Sequence, residues 1–224
     1  MGTYLVVGAD RGIGRAIVDQ LAERDDHVIA ACLGGDPLAG ANVVTIPYMD
    51  VTSSAAIDKL MAALRERPAI DVVIHVAGVL GLDELGALDF DDVRRQFEIN
   101  TVGPLRVAQA VIPYLAPGAK LGIVSSRVGS LTDNGSGGMY AYRISKCGAN
   151  MVGLNLHHDL KDRGFSVLML HPGMVATDLT KDMRGDLSWD TPENAAAGLI
   201  RNMDGLTPEK SGRFQHANGE FLPW

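Results

Sequence analysis

The sequence predicts a doubly wound α/β protein, a parallel sheet with helices on both faces, and three observations carry that expectation. A short β-prone run at residues 3–7 ends in Gly8-Ala9-Asp10-Arg11-Gly12-Ile13-Gly14, after which Ala16, Ile17 and Leu21 recur with helical spacing. Residues 70–77 form a near-continuous apolar run, as a parallel strand covered on both faces requires. Strand-like and helix-like segments alternate along the whole chain. Gly8, Ala77, Ser126 and Pro172 all fall at strand carboxyl ends, where such sheets bind ligands.

The first strand, turn and helix already suggest a guest. Glycines let a backbone approach a phosphate closely, and the helix N-terminus behind them offers unpaired N–H groups and the positive end of a dipole. A pyrophosphate suits that place. Residues 27–33 read as a second strand, and residues 42–49 as a third that closes on Asp50-Val51-Thr52. A helix over 53–67 buries Ile57, Leu60, Met61 and Leu64, with Ser53 or Ser54 as its cap. The fourth strand is the run at 70–77. Residues 89–115 read as one long helix or two in series, with Pro104 marking a kink and Pro113 an end.

The fifth strand, 121–124, runs into Ser125-Ser126-Arg127-Val128-Gly129. A largely buried helix then begins at Gly138, with Ile144, Ala149, Met151, Val152, Leu154 and Leu156 as its apolar residues. Residues 165–170 are a sixth strand ending in His171-Pro172-Gly173. Residues 178–191, polar and stopped by Pro192, suit a substrate loop over the site. A last helix at 193–203 and a short strand at 212–215 complete about seven strands in a single domain spanning 1–224.

Composition narrows the function. The 224 residues are 46% hydrophobic and 21% charged, an ordinary globular balance that supports one sizeable core. A net charge of -7 leaves no basic face for nucleic acid. No apolar run approaches membrane-spanning length, and the chain enters its first strand without a basic leader. Cys32 and Cys147 lack disulfide or metal-ligand spacing and read as buried thiols in a reducing compartment, the cytoplasm. No metal site is expected. His157 and His158 are adjacent and diverge on a helix, and no serine sits in a Gly-x-Ser-x-Gly elbow.

Tyr142 and Lys146 stand four apart on that helix and share one face. A phenol is a poor acid or base at neutral pH, and a neighbouring ammonium lowers its pKa by stabilising the phenolate. The pair is therefore a candidate tuned acid/base. Tyr140 has Ile144 at its fourth position and is the weaker candidate.

With these residues placed, the chain resembles the short-chain dehydrogenase/reductase family over essentially its full length. The matches are Gly8, Gly12 and Gly14 in the turn, Asp50 after the third strand, Ala77-Gly78 after the fourth, Asn100, Ser126 followed by Gly129, Tyr142 with Lys146, and Pro172-Gly173 through Thr177. Residues 137–143, 171–178 and the tail Phe221-Leu222-Pro223-Trp224 look like the C-factor and sniffer-type carbonyl reductases. The resemblance implies a Rossmann-like fold and hydride transfer between NAD(P)(H) and a small carbonyl or alcohol. Tyr142 would move the proton, Ser126 would hold the carbonyl oxygen, and Lys146 would hold the nicotinamide ribose. Asn100 would hold a water leading from Lys146 to solvent. Gly8, Arg11, Gly12, Ile13, Gly14, Asp50, Val51, Ala77, Gly78, Pro172, Gly173, Val175 and Thr177, with Tyr142 and Lys146, would line the cofactor. The family also implies a homodimer or homotetramer.

Three departures from the family pattern stand out. Val7 precedes the first glycine where threonine is usual, and His75-Val76 replaces Asn-Asn before Ala77. A hydrogen-bonded histidine at a strand end is the expectation for His75, ahead of a cofactor contact. Neither Cys32 nor Leu33, at the end of the second strand, is acidic or basic. By the resemblance, a basic residue immediately before Gly12, here Arg11, implies NADP(H), with NAD(H) as the alternative that Asp36 would favour. Two rival functions remain beside the enzyme: a dinucleotide-binding regulator of C-factor type, and a sugar-nucleotide epimerase or dehydratase, for which the short C-terminal portion leaves little room.

Overall fold

The computed structural model describes residues 1–183 and 188–224. Strands β1 (Thr3–Val7), β2 (His27–Ala31), β3 (Val43–Ile46), β4 (Ile70–His75), β5 (Leu115–Val124), β6 (Ser166–His171) and β7 (Arg213–His216) form one parallel sheet in the order β3-β2-β1-β4-β5-β6-β7. The helices are α1 (Gly12–Glu23), α2 (Ser54–Leu64), α3 (Phe90–Phe97), α4 (Gly103–Val111), α5 (Tyr140–Leu160) and α6 (Pro192–Asp204).

Strand alternation explains the apolar runs. Leu5 and Val7 of β1 pack with Leu60 of α2, Val107 of α4 and Leu156 of α5, whereas Tyr4 and Val6 pack with Ile17 and Leu21 of α1 and Leu199 and Met203 of α6. Both parities are buried, so both must be apolar. Each such Leu or Val side chain stabilises the fold by roughly 1.5–3 kcal/mol relative to exposure. β1 bonds β2 on one side and β4 on the other. The chain leaves β1 through α1 over one face and leaves β4 through α3 and α4 over the other, which opens a crevice at the carboxyl ends of the two strands.

Local chemistry sets several boundaries. Ser53 is the cap of α2, its side chain accepting from the Ala56 N–H at 3.3 Å. The segment read as one long helix is α3 and α4 joined by a π-helical turn, Glu98–Val102, with Pro104 in the first turn of α4. β5 starts at Leu115, ahead of the expected 121–124, because Pro117 and Gly118 sit in an irregular stretch where the register with β4 jumps between Ile70 and Val72. α5 starts at Tyr140 rather than Gly138, since Gly137, Gly138 and Met139 have φ of 65°, 68° and 50° and cannot be helical. Cys32 is buried, but Cys147, read as buried, lies only partly covered on α5. Of the substrate loop at 178–191, Asp178–Met183 is a 3₁₀ turn, and residues 184–187 lie outside the described residues.

Candidate active site

The carboxyl ends of β1, β4, β5 and β6 surround a cleft of about 560 Å³. Its back wall is the glycine turn. A Cβ on Gly8 would lie 2.6 Å from the Ala77 nitrogen, and one on Gly14 would lie 2.0 Å from the Gly8 carbonyl oxygen, so only glycine lets the turn fold this tightly against β4 and α1. Thr177 faces the turn, its Cγ2 3.3 Å from where a Gly12 Cβ would stand. Every predicted catalytic and cofactor residue lines the cleft except Gly14 and Asn100. Gly14 is buried under the turn, and Asn100 is buried behind the wall.

β5 and α5 supply the reactive side chains. Ser126, just after β5, and Tyr142, in the first turn of α5, both line the cleft, and the Ser126 hydroxyl acts on the phenol, lowering its pKa against the effect of burial. Ser125 points the other way, donating to the Lys146 carbonyl oxygen at 3.2 Å, which separates the roles of the two serines. Gly129 allows this, because a Cβ there would lie 2.7 Å from the Lys146 carbonyl carbon. The Asn100 side chain clamps the wall: Oδ1 accepts the Val79 N–H at 2.8 Å, and Nδ2 donates to the Val79 carbonyl at 2.8 Å and to Ser145 Oγ at 2.9 Å. The π-helical turn directs it there.

The electrostatics correct the expectation for Tyr142. Burial pushes the Tyr142 phenol up to about 12, with the Ser126 hydrogen bond pulling the other way, so the hydroxyl stays protonated at neutral pH instead of being lowered by Lys146. Lys146 is buried too, which lowers its pKa to about 8. Its Nζ donates to the Val124 carbonyl at 3.0 Å and lies 5.7 Å from the Tyr142 ring centroid, so its charge is directed to the strand end rather than spent on the phenol oxygen. His75 ends β4. It is 4% exposed and does not line the cleft, and although a backbone hydrogen bond acts on the ring, as the sequence leads one to expect, its Nε2 has no hydrogen-bond partner among the described residues. Burial, reinforced by Lys146, lowers its pKa to about 3 and keeps the ring neutral.

Other residues at the site escape sequence reasoning. Arg143 lines the cleft, as does Trp189, whose Nε1 is buried without a partner among the described residues. The Asp10 carboxylate accepts the Leu33 N–H at 3.2 Å, which brings an acid to the end of β2 from the glycine turn itself. Asp83 hydrogen-bonds the start of α5. No local signal separates it from its neighbour Glu84. No group of three or more His, Cys, Asp or Glu suited to a metal exists among the described residues, and none of their helices is long and apolar enough to cross a membrane.

A parallel seven-stranded sheet, a glycine turn at its reversal point and a Ser-Tyr-Lys set beside it define a dinucleotide-dependent oxidoreductase. The chain belongs to the short-chain dehydrogenase family, whose profile matches residues 3–188. It is 62% identical over 226 residues to the 1-hydroxy-2-glutathionyl-2-methyl-3-butene dehydrogenase of a Rhodococcus species, with 100% of both chains covered. It is also 44% identical over 158 residues to the C-signal protein of Myxococcus xanthus, covering 69% of this chain and 93% of that one. Among solved structures, an NADPH-bound carbonyl reductase from chicken fatty liver superposes with a TM-score of 0.90 at 27% identity, covering 100% of this chain and 99% of the other. The carbonyl reductase Sniffer of Drosophila melanogaster gives 0.88 at 25%, with both chains covered in full. The protein is an oxidoreductase of this family that interconverts a carbonyl and an alcohol with a nicotinamide dinucleotide.

Proposed function

We propose that Tyr142 is the acid/base of this interconversion and Ser126 the group that holds the substrate oxygen. The observation that carries the reading is that Ser126, Tyr142 and Lys146 line one cleft together with the glycine turn. The cofactor, when bound, supplies or accepts the hydride. In reduction, Tyr142 gives its proton to the carbonyl oxygen while Ser126 donates a hydrogen bond to that oxygen and stabilises the charge developing there. In oxidation Tyr142 takes the proton, while Lys146, still largely protonated at neutral pH and donating to the Val124 carbonyl, sets its positive charge at the strand end, where it would hold the nicotinamide ribose. Asn100 is a positioning residue: it ties the Val79 backbone to Ser145 of α5 and so fixes the helix that carries both reactive groups.

The glycine turn, Asp50, Val51, Ala77 and Gly78, with Pro172, Gly173, Val175 and Thr177 opposite, hold the dinucleotide. NADP(H) is the preferred cofactor. Arg11, exposed at the start of α1 and in no ion pair among the described residues, supplies the cation for a 2′-phosphate, and the chicken carbonyl reductase binds NADPH. Asp10 supports NAD(H) as a second reading, since a carboxylate at the end of β2 suits free ribose hydroxyls.

The name of the Rhodococcus relative supports a substrate class, an alcohol carried on a glutathione thioether. The similarity to C-signal supports a regulatory alternative, but a module that only binds has no need of the Ser126–Tyr142 arrangement. A homodimer or homotetramer is supported by Phe97, Leu105, Ile144 and Met151, exposed apolar residues of α3, α4 and α5; purely monomeric sedimentation at micromolar concentration counts against it. Unbridged Cys32 and Cys147 support a reducing, cytoplasmic setting.

The test is an assay of wild type and Tyr142→Phe against alcohols, aldehydes and ketones, glutathionyl alcohols included, with both cofactors. Turnover should fall by about 10²–10⁴ in the variant while cofactor affinity holds. Equal rates in the two proteins would remove Tyr142 from the chemistry.

A further inference from the structure

We propose that Arg143 is the carboxylate anchor of the substrate site: a substrate whose alcohol lies between Ser126 and Tyr142 also carries a carboxylate that the Arg143 guanidinium receives. The position of the alcohol rests on the oxidoreductase reading. The anion site rests on Arg143 itself.

Arg143 follows Tyr142 in the first turn of α5 and lines the cleft. Its guanidinium is stapled in place, with Nε donating to the Gly138 carbonyl at 3.1 Å, Nη1 to the Val128 carbonyl at 3.0 Å and Nη2 to Ser136 Oγ at 2.9 Å. All three partners are neutral. Among the described residues no carboxylate pairs with it, whereas neighbouring Arg127 is already matched by Asp133 at 2.7 Å. A guanidinium carries five N–H donors and no acceptor, so a fixed positive charge with two unspent donors remains at the cleft wall. On a chain of net charge -7 this is an exception to the prevailing field.

A staple alone would not need to be charged. Its anchors also place it where a substrate would pass, because Val128 belongs to the turn that follows Ser126 and Gly138 to the segment that leads into α5. Between these walls the lining is apolar, from Val128, Met139, Met174, Leu179 and Trp189. Of the described acids that line the cleft, Asp133 is already paired with Arg127, and none forms an ion pair with Arg143. The site thus fits a molecule with an alcohol at one end, an apolar body, and an anion at the other. A glutathione thioether has that form, since its two carboxylates extend from a sulfur bearing an apolar group. Because the guanidinium is already immobilised, a carboxylate gains charge-assisted hydrogen bonds with little further ordering cost.

The test is a binding measurement that needs no turnover. S-butylglutathione and its dimethyl ester are titrated by calorimetry into wild type and Arg143→Gln. Wild type should bind the diacid about ten- to a hundredfold more tightly than the ester, and the variant should lose that preference while its ester affinity stays unchanged. Raising the ionic strength should shrink the preference in the wild type, a check that does not depend on the variant folding. Equal affinity for diacid and ester in wild type, no binding of either, or equal losses of both in the variant would overturn the proposal. A retained preference in a protein that oxidises no alcohol would instead overturn the catalytic reading and leave the anion site standing.

Discussion

Asp83, from the loop after β4, caps α5: its two carboxylate oxygens accept the backbone N–H of Tyr140 at 2.5 Å and of Ala141 at 2.8 Å. The three residues before the helix all have positive φ and provide no side-chain cap of their own. A distant carboxylate therefore satisfies the orphan N–H groups and meets the positive end of the dipole. Asp83→Ala should lower stability by about 1–2 kcal/mol and also reduce turnover, because Tyr142 lies in the turn that loses its anchor. Urea unfolding and kcat, measured together, check this. A variant as stable as wild type would show that the cap contributes nothing.

Lys146 predicts a pH profile. It is charged below about 8 and loses its proton above that value. With cofactor saturating, the Lys146-dependent part of turnover should hold below about 8 and fall above it. Lys146→Arg, which stays charged, should move the fall upward or abolish it. Lys146→Met should lose turnover and bind cofactor less tightly. A wild-type profile that stays flat well into the alkaline range would contradict the assignment.

His75 and His171 predict the acid side of the stability curve. Both are buried, and both have pKa values lowered to about 3 from an ordinary value of 6.5. Between those values the unfolded chain takes up protons that the folded state refuses. Stability is therefore full above pH 6.5 and falls as pH drops toward 3, by up to roughly 1.4 kcal/mol per pH unit for each histidine. His75→Asn should remove one of the two contributions and flatten the slope. Denaturant unfolding across that range decides it, and an unchanged slope in the variant would place the effect elsewhere.

Arg11 predicts cofactor preference. If its guanidinium meets a 2′-phosphate, Arg11→Ala should weaken NADPH binding by roughly one to two decades and leave NADH nearly unchanged. Tighter NADH binding in the wild type, or equal losses for both cofactors, would shift the discrimination to Asp10.

What is legible in the sequence is what is local. The glycine turn, the apolar run of β4 and the Tyr142–Lys146 spacing each depend on a few consecutive residues, and strand alternation between two covered faces is a periodic signal. What is not legible depends on contacts between segments far apart. Asp83 caps a helix that begins 57 residues later. Asn100 clamps Val79 and Ser145 across 21 and 45 residues. The direction of the Tyr142 shift depends on total burial, which no spacing reveals. Pro117 and Gly118 conceal the first half of β5, because an irregular strand start and a turn use the same residues.

The turn at Glu98–Val102 bears on how this site could arise. A π-helical turn closes i→i+5 and so takes up one residue more than the α-helical turn it interrupts. Dropping a single codon there would let α3 and α4 run on as one regular helix. Asn100 would then lose the local geometry that directs it at Val79 and Ser145. A one-residue insertion in a helix is thus the local change that sets one amide side chain between the strand end at Val79 and the helix that carries Tyr142 and Lys146.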